Sequence, residues 1–140
     1  MPDAPATSAN VAMAVAASAL RAQQSRMRVI AENIANADSV GATPGAAPYQ
    51  RQTPVFQPTE VGGGLGVTMT GVAPDVTPFK REYHPGAPGA DAQGYVQTPN
   101  VDPLVEALDM RQAQRAYEAN LNVIETARSM QSRTLDLLKK

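Results

Sequence analysis

The residues with the most chemical capacity are few and badly placed for catalysis. His84 is the only histidine and lies in a Pro-Gly loop, HPGAPG. One imidazole without cysteines or a carboxylate cluster beside it does not make a metal shell or a general base with a partner. Ser and Asp are present, but a single His does not supply a nucleophile–base pairing. The stretch Val61–Gly66 reads VGGGLG. No Lys-Ser/Thr follows it and it opens no helix, so a flexible turn explains it better than a phosphate cradle. Cysteine is absent, which removes disulfides, thiolate zinc sites and Cys nucleophiles. Arg111, Arg115 and Arg128 alternate with Glu106, Asp109, Glu118 and Glu125, the pattern of a mixed, solvated or pairing face rather than a basic groove. The six Met read as core filler. These residues point to no enzyme, no catalytic residue and no cofactor, metal or small-molecule substrate.

The totals narrow the class further. With 140 residues there is room for one domain. The net charge is −1 with no block of one sign, which gives no reason to expect nucleic acid or an acidic membrane as partner. There is no Trp, and only two Phe and four Tyr, so a large aromatic core is not expected. No apolar run reaches the length of a membrane span. Val11–Leu20, VAMAVAASAL, has the look of a signal-peptide core. Nothing basic precedes it and it runs on into a helical pattern, so it is read as part of an uncleaved helix.

The elements come next. Residues 102–140 contain no Gly, and their only Pro is Pro103. Val105, Leu108, Ala116, Ala119, Val123, Ala127, Met130 and Leu137 recur at helical steps, which predicts one long helix with one apolar stripe. Asp102 is its expected N-cap, Pro103 its first residue, and Lys139 and Lys140 suit the negative end of its dipole. At the other end Met1–Ala6 reads as a loose tail, and Thr7 or Ser8 caps a first helix. In that helix Met13, Leu20, Met27 and Ile34 repeat at an interval of seven, with Ala16, Gln23, Ile30 and Ala37 at the second heptad position. It closes in ENIANADS, with Asn36 in the left-handed conformation that often ends helices. Between the helices lie all ten Gly and most of the Pro. Short strands are expected at Gln50–Gln57, Leu65–Val72 and Val76–Tyr83, with an extended segment at Gly94–Val101. Pro54 marks the first of these as an edge or irregular strand.

The expected fold is therefore mainly α with a small β-rich middle: long N- and C-terminal helices packed as a coiled-coil-like pair, with an extended or β-hairpin insertion between them. Residues 7–38 and 102–140 form a discontinuous helical domain, and 39–101 the middle segment. Ordering some 35 residues costs about 1–2 kcal/mol each, against about 1.5–3 kcal/mol returned per large aliphatic side chain buried. Neither helix has enough large apolar residues to order alone, which predicts a subunit whose ends order on assembly.

Several stretches resemble one family. SALRAQQSRMRVIAENIANADS, residues 18–39, is similar to the N-terminal signature of bacterial flagellar rod and hook-type axial proteins, with Asn33, Ile34, Ala35 and Asn36 matching its Asn-Ile-Ala-Asn element. Pro48, Tyr49, Gln50, Arg51 and Phe56 resemble the strand that follows. ADAQGYVQTPNVD, residues 90–102, and the Arg-x-Tyr-x-Ala-Asn element at Arg115, Tyr117, Ala119 and Asn120 resemble the proximal-rod branch. Gly89 departs from the family's usual Pro-x-Ala-Asp-Ala run. The resemblance implies a structural subunit of the proximal rod, in the periplasm-spanning drive shaft, exported by the flagellar apparatus without a cleaved signal peptide. Its implied partners are further copies of itself, the other proximal and distal rod proteins, the rod–MS-ring adaptor and the export apparatus. It also implies a middle segment outside the helical layer that braces neighbours. The expected packing positions are Met13, Leu20, Met27, Ile34, Leu108, Val123, Met130 and Leu137. The expected interface hydrogen bonds come from Asn33, Asn36, Tyr117 and Asn120. The competing class is a soluble helical adaptor or secretion chaperone with a β insertion.

Overall fold

The computed structural model describes residues 7–139. The expected tail Met1–Ala6 and the dipole role of Lys140 lie outside them. The order is α1 (Ser8–Ala35), β1 (Gln52–Val61), β2 (Gly64–Pro74), β3 (Lys80–Tyr83), β4 (Tyr95–Thr98) and α2 (Pro103–Leu138). Two long helices thus flank two antiparallel hairpins, β1–β2 and β3–β4. This is the mainly α chain with a β-rich middle that the pattern predicts. Among the described residues no helix is long and apolar enough to cross a membrane.

The helix ends are fixed by local chemistry. Thr7 caps α1, its Oγ1 accepting the Asn10 N–H at 3.2 Å and its carbonyl the Val11 N–H at 3.0 Å. Asn36 closes α1 differently from expectation: no non-glycine among the described residues has a positive φ. Instead the Asn36 Nδ2 donates to the Glu32 carbonyl at 2.9 Å and Oδ1 accepts from the Ser39 hydroxyl at 3.0 Å. A tightened turn, Ala37 N–H to the Ile34 carbonyl, completes the stop. Asp102 caps α2 as predicted, its carboxylate accepting the Leu104 N–H at 3.0 Å, with Pro103 in the first helical position. The 36 residues of α2 span about 54 Å.

The strands differ in extent from the sequence pattern. β1 runs to Val61 through both Pro54 and Pro58, which a two-stranded sheet tolerates because one side of each strand needs no ladder partner. The β1–β2 connection is the two-residue turn Gly62-Gly63, with φ of 55° and 86°, values that disfavour any residue with a side chain. Val76 is not in a strand. Asp75 bends the chain there, accepting the Thr77 N–H at 2.8 Å, so β3 begins only at Lys80. β3 pairs with β4 from Lys80↔Thr98 to Tyr83↔Tyr95.

The described residues form two compact units, each built from pieces of several elements. The first takes residues 7–27, 55–71 and 111–139. Here the two helices run antiparallel. Gln131 donates through Nε2 to the Asn10 carbonyl oxygen of the side chain, and Arg26 donates to Gln112 at 3.2 Å, so α1 positions rise as α2 positions fall. The interior is made of small residues, Ala16, Ala22, Ala113 and Ala127. Such residues let helix backbones approach closely, and they explain why a core forms without large aromatics. The β1–β2 tip lies on α1. The buried Ser18 hydroxyl accepts the Val67 N–H at 3.1 Å, and a Cβ at Gly66 would collide with Ser18 and with Val61.

The second unit takes residues 28–54 and 72–110. Its buried apolar residues are Val29, Ile30, Val96 and Val101, beside the buried polar side chains Asn33 and Glu106. Of the mixed, solvated or pairing face that the sequence suggests for Glu106, its complete burial removes the solvated alternative, and it pairs with Arg51.

Candidate assembly interface

The inward seam of α2 is not the stripe its sequence suggests. Glu106, Ala113 and Ala127 are buried, with Met110, Tyr117, Asn120 and Ile124 half-buried between them and Gln131 half-buried beyond. These steps of three and four make one continuous face. Of the predicted stripe only Ala127 is buried and Ala116 half-buried. Val105, Leu108, Ala119, Val123, Met130 and Leu137 are exposed, Leu108 at 57% and Leu137 at 72%. The chain packs α2 through small and polar residues with Met110, Tyr117 and Ile124 half-buried among them, and leaves most of its large aliphatic residues outside. Apolar side chains at this density along one exposed face are more than the singly scattered ones of an ordinary surface.

On α1 the heptad pattern fares differently. Ala16 and Ile30 are buried, and Gln23 and Ala37 half-buried. Met13, Leu20 and Met27 are half-buried, while Ile34 is 40% exposed. The buried face also takes in Ser18 and Ala22, because in the first unit the hairpin covers α1 as well as α2 does, and Val29 and Asn33, which pack within the second unit.

The second unit is held by a polar cluster. Asn33 at the end of α1 acts as a backbone substitute for the incoming strand. Its Nδ2 donates to the Gln52 carbonyl at 2.8 Å, and its Oδ1 accepts the Gln52 N–H at 2.9 Å and the Tyr49 hydroxyl at 2.8 Å. Burial first, then the charges of Glu32 and Glu106, push the Tyr49 phenol up, so it remains a donor at neutral pH. Next along the chain, the Arg51 N–H donates to Asn100 Oδ1 at 2.7 Å. The Asn100 Nδ2 in turn donates to the carbonyls of Asp75 at 3.0 Å and Thr77 at 2.9 Å.

The Arg51 guanidinium faces three carboxylates. Its Nε donates to Glu106, its Nη1 lies 3.1 Å from Asp75 and its Nη2 3.6 Å from Asp109. Burial lowers the guanidinium's pKa, but the hydrogen bond and charge of Glu106, then of Asp75, outweigh it and leave the group above its ordinary value. Asp75 is held below the usual carboxylate range, first by the Thr77 hydroxyl at 2.6 Å and the Thr77 N–H, then by Arg51. This cluster ties the end of α1, the ends of β1 and β2 and the first turns of α2 together.

The remaining sequence candidates are placed plainly. Asn33 is buried with its amide engaged within the chain. Asn36 caps α1. Tyr117 is half-buried on the inward seam of α2, and half-buried Asn120 donates to the Ala116 carbonyl at 2.8 Å. His84 is exposed and 3.2 Å from the Glu82 carboxylate on the β3–β4 hairpin. Among the described residues no group of acidic, His or Cys side chains could hold a metal ion. Sequence reasoning missed Arg51 and Glu106. The available signal was that Arg51 is the only basic residue between Arg28 and Lys80.

Comparison with known proteins gives one class, structural proteins of the flagellar basal-body rod, from both ends of the chain. Residues 13–43 match the model for flagella basal body rod proteins, and residues 92–137 the model for the C-terminal region of flagellar basal body rod FlgEFG proteins. The chain is 46% identical to the flagellar basal-body rod protein FlgC of Agrobacterium fabrum, over 93% of this chain and 95% of that one. It is 44% identical to the FlgC of Escherichia coli O6:H1, over 88% and 92%, and 38% identical to that of Borreliella burgdorferi, over 89% and 94%. The chain belongs to the FlgC family of flagellar basal-body rod proteins. It is a structural protein of the rod, a class that works in association with other basal-body components, and the adaptor or chaperone reading falls away.

Proposed function

We propose that this chain is a proximal-rod subunit of the periplasm-spanning drive shaft, one that carries torque through side-by-side helices. The observation that supports this most is the exposed aliphatic face of α2, from Leu108 to Leu137, on a helix whose own-chain seam is already filled by Ala113 and Ala127. Exposing those side chains to water forgoes about 1.5–3 kcal/mol each, which burial in an assembly recovers. On this reading Leu108, Val123, Met130 and Leu137, with Met13, Leu20, Met27 and Ile34 on α1, are packing positions between subunits. Tyr117 and Asn120 adjust helix contacts nearby. Asn36 is a hydrogen-bonding position at the exposed end of α1, and Asn33 contributes by fixing the strand that follows. Because the surfaces involved are different patches, each contact is heterologous and propagates without closing, as a rod requires. The neighbours are other copies, the other proximal and distal rod proteins and the rod–MS-ring adaptor. Export proceeds through the flagellar apparatus without a cleaved signal peptide. A cryo-EM map of isolated basal bodies tests this: density for the chain is expected in the rod segment next to the membrane ring. Density confined to the hook, or none in the basal body, overturns it.

A further inference from the structure

Two exposed ridges of opposite charge and equal spacing lie on the two helices. Arg21 and Arg28 are seven positions apart on the uninterrupted helix α1, and Glu118 and Glu125 are seven apart on α2. A spacing of seven keeps both members on one face, with a drift of only ~20°. All four side chains are exposed, and none takes part in an ion pair within the chain among the described residues. They stay free although Arg28 has Glu32 four positions on, Glu118 has Arg115 three before it and Glu125 has Arg128 three after it.

We propose that the acidic ridge of one copy docks on the basic ridge of a second copy, Glu125 opposite Arg21 and Glu118 opposite Arg28. This rests on the rod reading above and adds which helix faces meet and in what register. The pairing is antiparallel, as it must be when α1 and α2 run antiparallel within each copy and all copies point the same way. Charges flanking a helix seam set partner and register in this manner. The register differs from the one inside the chain, where Asn10 is level with Gln131 and Arg26 with Gln112. Pairing Arg21 with Glu125 therefore displaces the second copy along the helix axis by about 8–12 Å. A displacement of that kind turns a side-by-side contact into an open helical array rather than a closed ring. The surfaces between the charges fit as well. Leu121, 39% exposed, stands between Glu118 and Glu125. Beside Arg21 a surface cavity of about 370 Å3, lined by Ser18, Arg21, Ala22, Ser25, Val61 and Met69, offers that side chain a recess.

The absence of native cysteine makes the test clean. Cells carrying Arg21→Cys with Glu125→Cys as their sole copy are grown, and their basal bodies isolated and treated with a short bis-maleimide. A crosslinker is preferred because flanking charge positions stand further apart than a disulfide reaches. The expected result is a ladder of multiples of this chain on a denaturing gel, absent from either single-cysteine variant. The second arm is a charge swap. Arg21→Glu with Arg28→Glu abolishes swimming, and adding Glu118→Arg with Glu125→Arg to the same chain restores it. Basal bodies that contain the chain but give no ladder, with no rescue by the swap, overturn the ridge pairing and leave the rod reading intact. A cross-link to another rod protein instead overturns the second copy as occupant. Absence of the wild-type chain from basal bodies overturns the rod reading itself, and the pairing with it.

Discussion

Arg51 holds Glu106 through its Nε although 55 positions separate them, and the Glu106 side chain has no exposed surface at all. The contact joins the strand entry after α1 to the first turn of α2, so these two segments are registered by one guanidinium. Asp75 and Asp109 share the same cation, which leaves the cluster rich in negative charge around a single positive group.

Removing that group should be costly. Arg51→Met strands a buried carboxylate, and the loss of one partner of a buried pair costs about 3–5 kcal/mol. The double variant Arg51→Met, Glu106→Leu removes both charges and should recover much of the loss, since apolar replacement of a buried pair is often close to neutral. Urea unfolding of the purified chain followed by circular dichroism reads both. A single variant as stable as the wild type would show that the pair does not anchor the fold.

Asn33 gives a second test of how this end is held. Asn33→Asp keeps the size but replaces the donor to the Gln52 carbonyl with an acceptor, setting two oxygens against each other. Each buried group left unpaired costs about 1–3 kcal/mol. Asn33→Asp should therefore destabilise at least as much as Asn33→Ala at pH 7, and less at a pH low enough to protonate the new carboxyl. Equal midpoints for Asn33→Asp and wild type at pH 7 would contradict the role assigned to the amide.

How much of this was legible in the sequence depends on the kind of signal. Asp102-Pro103 and Thr7 mark helix starts by backbone chemistry that acts locally, and both starts are where the residues predict. The strands were visible as a zone, with Pro54 marking an edge strand, but not in extent: the first was expected to end at Gln57, and its run through Pro58 to Val61 depends on the sheet having only two strands. The inward face of α2 was illegible for a physical reason. Helical periodicity is read from large apolar residues, and here most of those face outward, while Ala113, Asn120 and Gln131 line the inside with Met110 and Ile124. Arg51 and Glu106 could not be paired from sequence because single charges are ordinarily solvated, and nothing local announces a partner so far along the chain.

The two faces of α2 should separate stability from assembly. Ala113 has 0% exposure, so Ala113→Leu overpacks the seam and should cost about 1–3 kcal/mol in the isolated chain. Leu108→Asp and Val123→Asp lie on the exposed face and should change the stability of the isolated chain by no more than about 0.5 kcal/mol. Both should nonetheless abolish swimming. Thermal melts paired with soft-agar motility make the comparison, and normal swimming by either Asp variant counts against the exposed stripe as an interface.

Acid should loosen the turn around Asp75. Its pKa is depressed in the folded chain, so its contribution is complete above the ordinary carboxylate range and is lost as pH falls through the folded value. The Thr77 hydroxyl is the largest cause, ahead of Arg51. Thr77→Val, which keeps the backbone N–H bond, should move the Asp75 titration upward toward ordinary values when followed by carboxyl NMR shifts. The same change should raise the pH at which the turn begins to open. An unaltered Asp75 titration in Thr77→Val would assign the depression to the arginine instead.

Hydrogen exchange on the dilute, unassembled chain reports how far order extends along α2. Its first turns carry the Asp102 cap, the buried Glu106 and the hold of Arg51, whereas among the described residues beyond Ala127 only Gln131 is even half-buried. Fraying spreads from an end until it meets contacts strong enough to stop it. Amides from Glu106 to Ala113 should therefore be the best protected of the helix, and those from Arg133 to Leu138 should exchange at close to unprotected rates. In isolated basal bodies the same C-terminal amides should become protected, because neighbouring helices then cover Met130 and Leu137. Full protection of residues 133–138 in the dilute chain would mean that α2 needs no neighbour to be complete. The exposed stripe would then be an ordinary solvated face rather than half of an interface.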